Sequence, residues 1–329
     1  MTAAVPGARH AFHVIHPGSS MLRVRYRDGV VVDGHGFPDW LPYARAVVEL
    51  PEPAPHRTAD ETRVLDVLIA NEVMAGAGDP WWPDGGEPLT PDGWTWAHVA
   101  MTRRLALVPV ELHGAFRHAG GVATMRADYA RRGLDLAGAE PMREFGSDRG
   151  LTDAAVDKVE DRLGYRLPEA YRRFLAATNG GRPVRPALHP GFGFVLDQRF
   201  FGLARQDWLQ DLVYANDWFR DRLTADHLAV SYLQGGLLVL KVRGDDAGSV
   251  WYWDDDDPRD TDDHGPAEVC ERLLHRLADD LDAFGRALRA VPYPLRRLAR
   301  DTVARGDARR CAPEGMGASL PRTKRAGGA

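Results

Sequence analysis

Hydrophobic positions along the second half of the chain recur first with helical and then with strand rhythm. Over 152–163, Val156, Val159 and Leu163 fall on one helical face, with Thr152 placed to cap the start and Gly164 to end it. A second helix is predicted from Pro168, which suits a first helical turn. Its stripe is Ala170, Tyr171, Phe174 and Leu175, and Asn179-Gly180-Gly181 stops it. Three apolar runs follow, at 228–232, 235–242 and 248–255, separated by glycine-containing turns, and predict consecutive antiparallel strands. A closing helix is predicted over about 266–288 from Val269, Leu273, Leu274, Leu277, Leu281 and Phe284. Trp208, Leu212 and Trp218, at helical spacing between 207 and 220, read as a packing stripe or an insert between strands.

Composition changes this picture little. The chain has 329 residues, enough for two domains with a core each. An apolar fraction of 44% with 27% charged residues is ordinary for a soluble globular protein. No apolar run approaches the roughly 18 residues of a spanning helix, and the first 17 residues lack the apolar centre of a signal peptide, so a cytoplasmic protein is expected. Two cysteines, Cys270 and Cys311, are too few for a disulfide framework or a cysteine zinc site. Residues 131–147 are poor in core formers and read as a linker. From Arg286 onward there are eleven Arg or Lys against three Asp or Glu, and 290–329 reads as a basic, mobile tail. Such a tail can touch phosphates or fold back on the protein's own acidic surface.

The front half carries the candidate chemistry. Trp94-Thr-Trp-Ala-His98 is followed by Leu-Val-Pro at 107–109, His113, His118 and Gly120-Gly121. This resembles the toxin nucleases of the HNH/endonuclease VII superfamily that carry a Trp-His-His motif. The register holds from Trp96 to Gly121, but Ala97 stands at the first His, and the acidic pair usual just after the motif reads Ala100-Met101. Upstream, a hydrophobic strand at 30–32, Gly36-Phe-Pro-Asp-Trp40 and the segment 60–71 with Asp66 and Asn71 continue the resemblance, which spans 25–130. It implies a small His-metal-finger domain of ββα type in which His98 is the general base, His113 and His118 are metal ligands, and Ala97 occupies a lost ligand position. Such a nuclease uses imidazoles to hold a divalent cation on the scissile phosphate and a further His to activate water. Two nitrogens seldom hold a transition metal tightly. The substitution therefore implies a degenerate, inactive module without a cofactor, and a divalent metal belongs only to the active alternative.

In the second half, Leu167-Pro-x-x-Tyr-x-x-Phe-Leu175, closing at Asn179-Gly-Gly, and the strands that follow resemble the SMI1/KNR4 (SUKH) superfamily over 148–289. That resemblance implies an α+β domain with an antiparallel sheet flanked by helices. Many bacterial members are immunity proteins that neutralise toxin nucleases, and others are regulatory interaction modules. Between Asp245 and Asp282 there are fourteen acidic residues against three Arg. Asp254, Asp255, Asp256 and Asp257 follow directly on Trp251 and Trp253. An acidic face beside aromatic anchors suits a basic nuclease partner. The plainer alternative is a solvated turn with both tryptophans in the core. The run lacks the spacing of a calcium loop.

His10, His13 and His16 form a weak metal candidate, because a spacing of three in extended chain turns the rings to different sides. No Walker loop, dinucleotide fingerprint, Gly-x-Ser-x-Gly or His-Glu-x-x-His is present, so nucleotide-cofactor and hydrolase classes gain no support. The expected fold is thus α+β in two domains, after an N-terminal segment at 1–24. Two functions remain. One is a non-enzymatic immunity or toxin-associated protein whose partner is a toxin nuclease. The other is a metal-dependent nuclease acting on nucleic acid and restrained in cis by the SUKH-like half. Neither involves a membrane, and the sequence leaves open whether the halves touch.

Overall fold

The computed structural model describes residues 12–14, 29–82, 86–114, 118, 120–122, 133–142, 145–146, 149–203, 210–257, 259–260 and 264–311. The front half begins with β1 (Phe12–Val14) paired antiparallel to β2 (Val30–Val32). Then come β3 (Ala46–Glu49), helix α1 (Ala59–Gly76), the hairpin β4 (Trp94–Val99) and β5 (Arg104–Pro109), and the short α2 (Val110–His113). Thr58 and Glu61 close a capping box at the start of α1. This helix is buried nearly all round, which means it is a central wall and not a surface helix. One side packs on the front half's sheet, and other sides pack on elements from the far end of the chain.

The second half is also α+β. After the two-residue β6 (Phe145–Gly146) come α3 (Asp153–Leu163) and α4 (Glu169–Thr178), capped as their sequences predict. Thr152 accepts the Ala155 N–H, and Gly164 and Asn179 end the two helices in left-handed conformation. The chain continues through β7 (Arg182–Pro183), β8 (Ala187–His189), β9 (Phe192–Leu196), α5 (Leu212–Trp218), β10 (His227–Leu233), β11 (Gly236–Lys241) and β12 (Val250–Asp254). The predicted antiparallel strands are present, in the sheet order β10-β11-β12-β13.

The fourth strand corrects one expectation. The single closing helix is absent. Residues 266–273 form one helical turn and a π-turn, β13 (Leu274–Ala278) pairs with β12, and only α6 (Leu281–Ala287) is helical thereafter. The apolar spacing over this stretch fits a helix. Pairing Leu274, His275 and Arg276 with Trp253, Tyr252 and Trp251 satisfies the free edge of β12, however, and this tertiary gain overrides local periodicity.

The expected mobile tail is corrected too. After β14 (Arg289–Ala290), which joins β8 and β9, the chain forms α7 (Tyr293–Ala304) and β15 (Arg309–Cys311). Strand β15 adds to β3, so the front sheet runs β15-β3-β5-β4, and α7 packs on α1. Val291, Ala299 and Ala308 are buried in the same cluster as Val64, Leu68 and Trp96. Arg296, Arg300 and Arg309 meet Glu87, Glu72 and Glu49. The basic end thus folds back on the front half's carboxylates as far as Cys311, and 312–329 lie outside the described residues. The supposed linker is likewise built in. Thr58 donates to the Gly133 carbonyl, and Met142 N–H bonds the Leu288 carbonyl.

The second half is therefore inserted into the front half's fold, and the two share a core. Leu188 and Val195 lie in the cluster of α1, and Trp218 lies in that of Trp40 and Leu112. Among the described residues no helix is long and apolar enough to cross a membrane.

Candidate functional site

The site grows from the β4-β5 hairpin. Pairing of Ala97 with Ala106 and His98 with Leu105 fixes the register, and strand alternation sends adjacent side chains to opposite faces. Trp96 packs with α1, whereas Ala97, 3% exposed, packs with Trp40, Val108 and Leu112. His98 turns toward α1, where its Nε2 lies 3.1 Å from Asp66 Oδ2. Asp66 is also held by both terminal nitrogens of Arg103, at 3.0 and 2.7 Å. The imidazole expected to act as a base is thus locked to a carboxylate that already has a guanidinium.

His113 ends α2 and stacks on Trp40 at 5.0 Å between ring centroids, and His118 meets it edge-on at 4.7 Å. Burial, with smaller contributions from His118 and Arg222, holds the His113 imidazole neutral well below its ordinary range. The Gly-Gly pair lets the chain pass a narrow gap. A Cβ on Gly121 would stand 2.3 Å from the His98 carbonyl oxygen, and one on Gly120 would stand 1.9 Å from Asp256 Oδ1.

The second half roofs this site. Gln234, in the β10-β11 turn, accepts from Thr95 Oγ1 (3.0 Å) and Trp96 N–H (3.1 Å), and its amide donates to Asp197. Arg63 of α1, its side chain 2% exposed, donates from one nitrogen to Asp254 and Asp256, both at 2.8 Å. Its other terminal nitrogen donates to Tyr252 Oη at 3.1 Å. Asp256 also accepts the Val122 N–H at 3.0 Å. Between roof and hairpin remains a cavity of about 20 Å³ bordered by Trp40, Ala97, His98, His113, His118 and Asp255, among others, which is the scale of a single water or ion.

Among the described residues the histidines do not assemble a three-ligand metal set. Among the described residues, the group of three potential ligands whose donor atoms all lie within 4.8 Å of one another is Asp254, Asp255 and Asp256, and no such group contains a histidine. At the third imidazole position Ala97 offers a methyl group.

The acidic run turns inward. Asp254 and Asp256 face Arg63, and Asp257 is held by Arg259 and His275, which keep its carboxyl well below the usual range despite burial. Trp253 is 6% exposed and donates to Asp260, while Trp251 is half-buried and donates to Ser249. The expected exposed acidic face thus does not exist at Asp254, Asp256 and Asp257; the front half covers the first two. His10, His16 and Trp208 lie outside the described residues, as does the His13 side chain. Arg63 and Gln234 were not singled out by the sequence pattern, and Trp40 entered only as part of a motif, with no role at the histidines. Arg63 stands in the polar first turns of α1, after Asp60-Glu61-Thr62 and ahead of Val64-Leu65-Asp66-Val67-Leu68-Ile69, and nothing in that pattern marked it out.

Comparison with known families agrees with this two-part site. Residues 86–128 match a family described as a nuclease of the HNH/ENDO VII superfamily with conserved WHH. Residues 150–285 match the SMI1 / KNR4 family (SUKH-1). No curated protein matches the chain. The protein thus joins, through one shared core, a region similar to the WHH nucleases at 86–128 to a region similar to the SMI1/KNR4 (SUKH-1) family at 150–285.

Proposed function

We propose that this is a cytoplasmic SUKH-type immunity or toxin-associated binding protein of a bacterial polymorphic toxin system, in which the WHH-like part serves as a fixed scaffold without catalysis. The observation that carries this reading is how little room the described residues leave at the site. His98, His113 and His118 border a cavity the size of one water, beneath Gln234, Gly235, Asp255 and Asp256, with an alanine at the remaining imidazole position. A nucleic-acid strand needs a groove, and a second half that shares a buried core does not swing away as a lid. The partner in this reading is a toxin nuclease, bound through a face of the SUKH-like part that the scaffold leaves open.

The test uses the full chain, because α7 and β15 complete the front half. Incubation with plasmid DNA and with RNA in magnesium, manganese, nickel or zinc is expected to give no cleavage. Cleavage that His98→Ala abolishes would overturn the reading, whereas cleavage that appears only in Ala97→His supports it. Capture assays against a panel of Trp-His-His nucleases are expected to find a tight partner, and failure with all of them removes the immunity role. The second reading, a nuclease restrained in cis, draws on the same roof. It predicts that loosening the roof with Gln234→Ala releases a His98-dependent activity.

A further inference from the structure

A larger hollow opens on the SUKH-like part, between α4 and α6. Its volume is about 720 Å³, within the range of small-molecule sites, and among the described residues none of 29–122 lines it. The floor is apolar. Phe145, Phe174 and Phe200 meet edge-on with ring centroids 4.8 to 5.8 Å apart, and buried Met142 and Phe284 close the base. The rim carries the charge. Arg173 of α4 reaches across the mouth to Asp282 of α6 at 2.6 Å, so these two cancel. Arg286, one turn further along α6, is exposed, and its guanidinium joins no ion pair among the described residues. Two arginines against one aspartate leave the lining with a single net positive charge. Gly285 keeps the space open. It stands inside α6, where glycine costs helix stability, and a Cβ there would meet no atom within 4 Å.

We infer that this hollow binds an amphipathic monocarboxylate, with its apolar body on Phe145, Phe174 and Phe200 and its carboxylate at Arg286. The two parts of the ligand answer two separate features of the site. Phe145 and Phe174 are only half-buried, so an apolar body laid against them removes from water both its own surface and theirs. A single carboxylate matches the one guanidinium that Asp282 does not neutralise. A neutral ligand leaves that charge unmatched, and a cationic one is repelled by it. The site is separate from the histidines and from the contacts that join the two halves.

The full chain is titrated by calorimetry with octanoate, decanoate and dodecanoate below their micelle concentrations, and with 1-octanol as the uncharged probe. One molecule per chain is expected, with affinity rising about fourfold for each methylene that leaves water. Arg286→Gln is expected to weaken octanoate about fivefold, the upper end for an exposed ion pair, and to leave 1-octanol unchanged. Gly285→Leu fills the hollow and removes a glycine from α6, so it is expected to melt no lower than wild type and to abolish uptake. Ala170→Leu, on the facing helix α4, is the second blocking variant. Absence of dodecanoate uptake up to millimolar, or uptake unchanged in both blocking variants, would overturn the site. An Arg286→Gln protein that binds octanoate as wild type does, or loses octanoate and 1-octanol equally, would overturn the carboxylate assignment. None of these outcomes depends on whether the protein cuts nucleic acid or binds a toxin.

Discussion

Arg63→Ala is the most informative perturbation of the seam. The side chain is 2% exposed, its carboxylate partners Asp254 and Asp256 are 1% and 8% exposed, and Tyr252 Oη is a third partner at 3.1 Å. Removing one member of a buried ion pair costs about 3–5 kcal/mol, because the charge left behind can neither hydrate nor pair. Asp254 and Asp256 both lose this partner, which pushes toward the upper end. Asp256 keeps the Val122 N–H and Asp254 keeps the Asp256 N–H, which pulls the value back, so about 4 kcal/mol is expected. For a chain of this size about 2 °C per kcal/mol is reasonable, giving a fall in melting temperature of roughly 8 °C. Calorimetry reads that fall, and amide exchange reads its location. The Trp96 and Val122 N–H groups, which donate across the seam to Gln234 and Asp256, should lose protection first. Arg220→Ala, which removes the exposed pair with Asp217, serves as the control and should change stability by no more than about 0.5 kcal/mol. An Arg63→Ala protein that melts within about 2 °C of wild type, with those amides still protected, would refute the view that this ion cluster locks the halves together.

Three other predictions follow from the same structure. A chain ending at Ala290 lacks α7 and β15, so it bares the β3 edge and one side of α1; it should lose cooperative melting and become protease-sensitive, and a wild-type melting curve would contradict the inserted topology. Gly235 has φ +104°, and a Cβ there would stand 2.9 Å from Arg63 Cδ, so Gly235→Ala should cost about 2 kcal/mol or more in denaturant unfolding. Burial between Phe194 and Phe284 holds the His189 imidazole at about 4, against about 6.5 when unfolded. The unfolded chain takes up this proton first, so the full contribution is present above about pH 6.5 and up to about 3 kcal/mol is lost as pH falls toward 4. His189→Leu should flatten that part of the stability profile measured by urea unfolding at the two pH values, and an unchanged profile would count against it.

Local chemistry was legible wherever one residue and its near neighbours decide the outcome. Thr152, Gly164 and Asn179 announced their helix ends, and the glycine turns set the hairpins of β10, β11 and β12. The substitution at Ala97 was visible because motif spacing is linear. The closing helix misled because its apolar residues satisfy two periodicities, and only the free edge of β12 selects the strand. Asp254 and Asp256 read as a surface because a run of four aspartates is usually solvated. Their partner Arg63 lies nearly two hundred positions away, as the separation of 191 for the Arg63–Asp254 contact shows.

The sequence by itself determined the two kinds of fold present, the order of most elements, and the presence of Ala97 at one position of the motif. Tertiary structure alone decided that the second part is inserted in the first, that β15 returns to complete the opening sheet, and that an acidic turn closes over the histidines. The physical reason is the range of the forces involved. Caps, turns and strand alternation act within a few residues. A buried guanidinium between carboxylates, or a strand added to a distant edge, gains its free energy only after the chain has brought remote segments together.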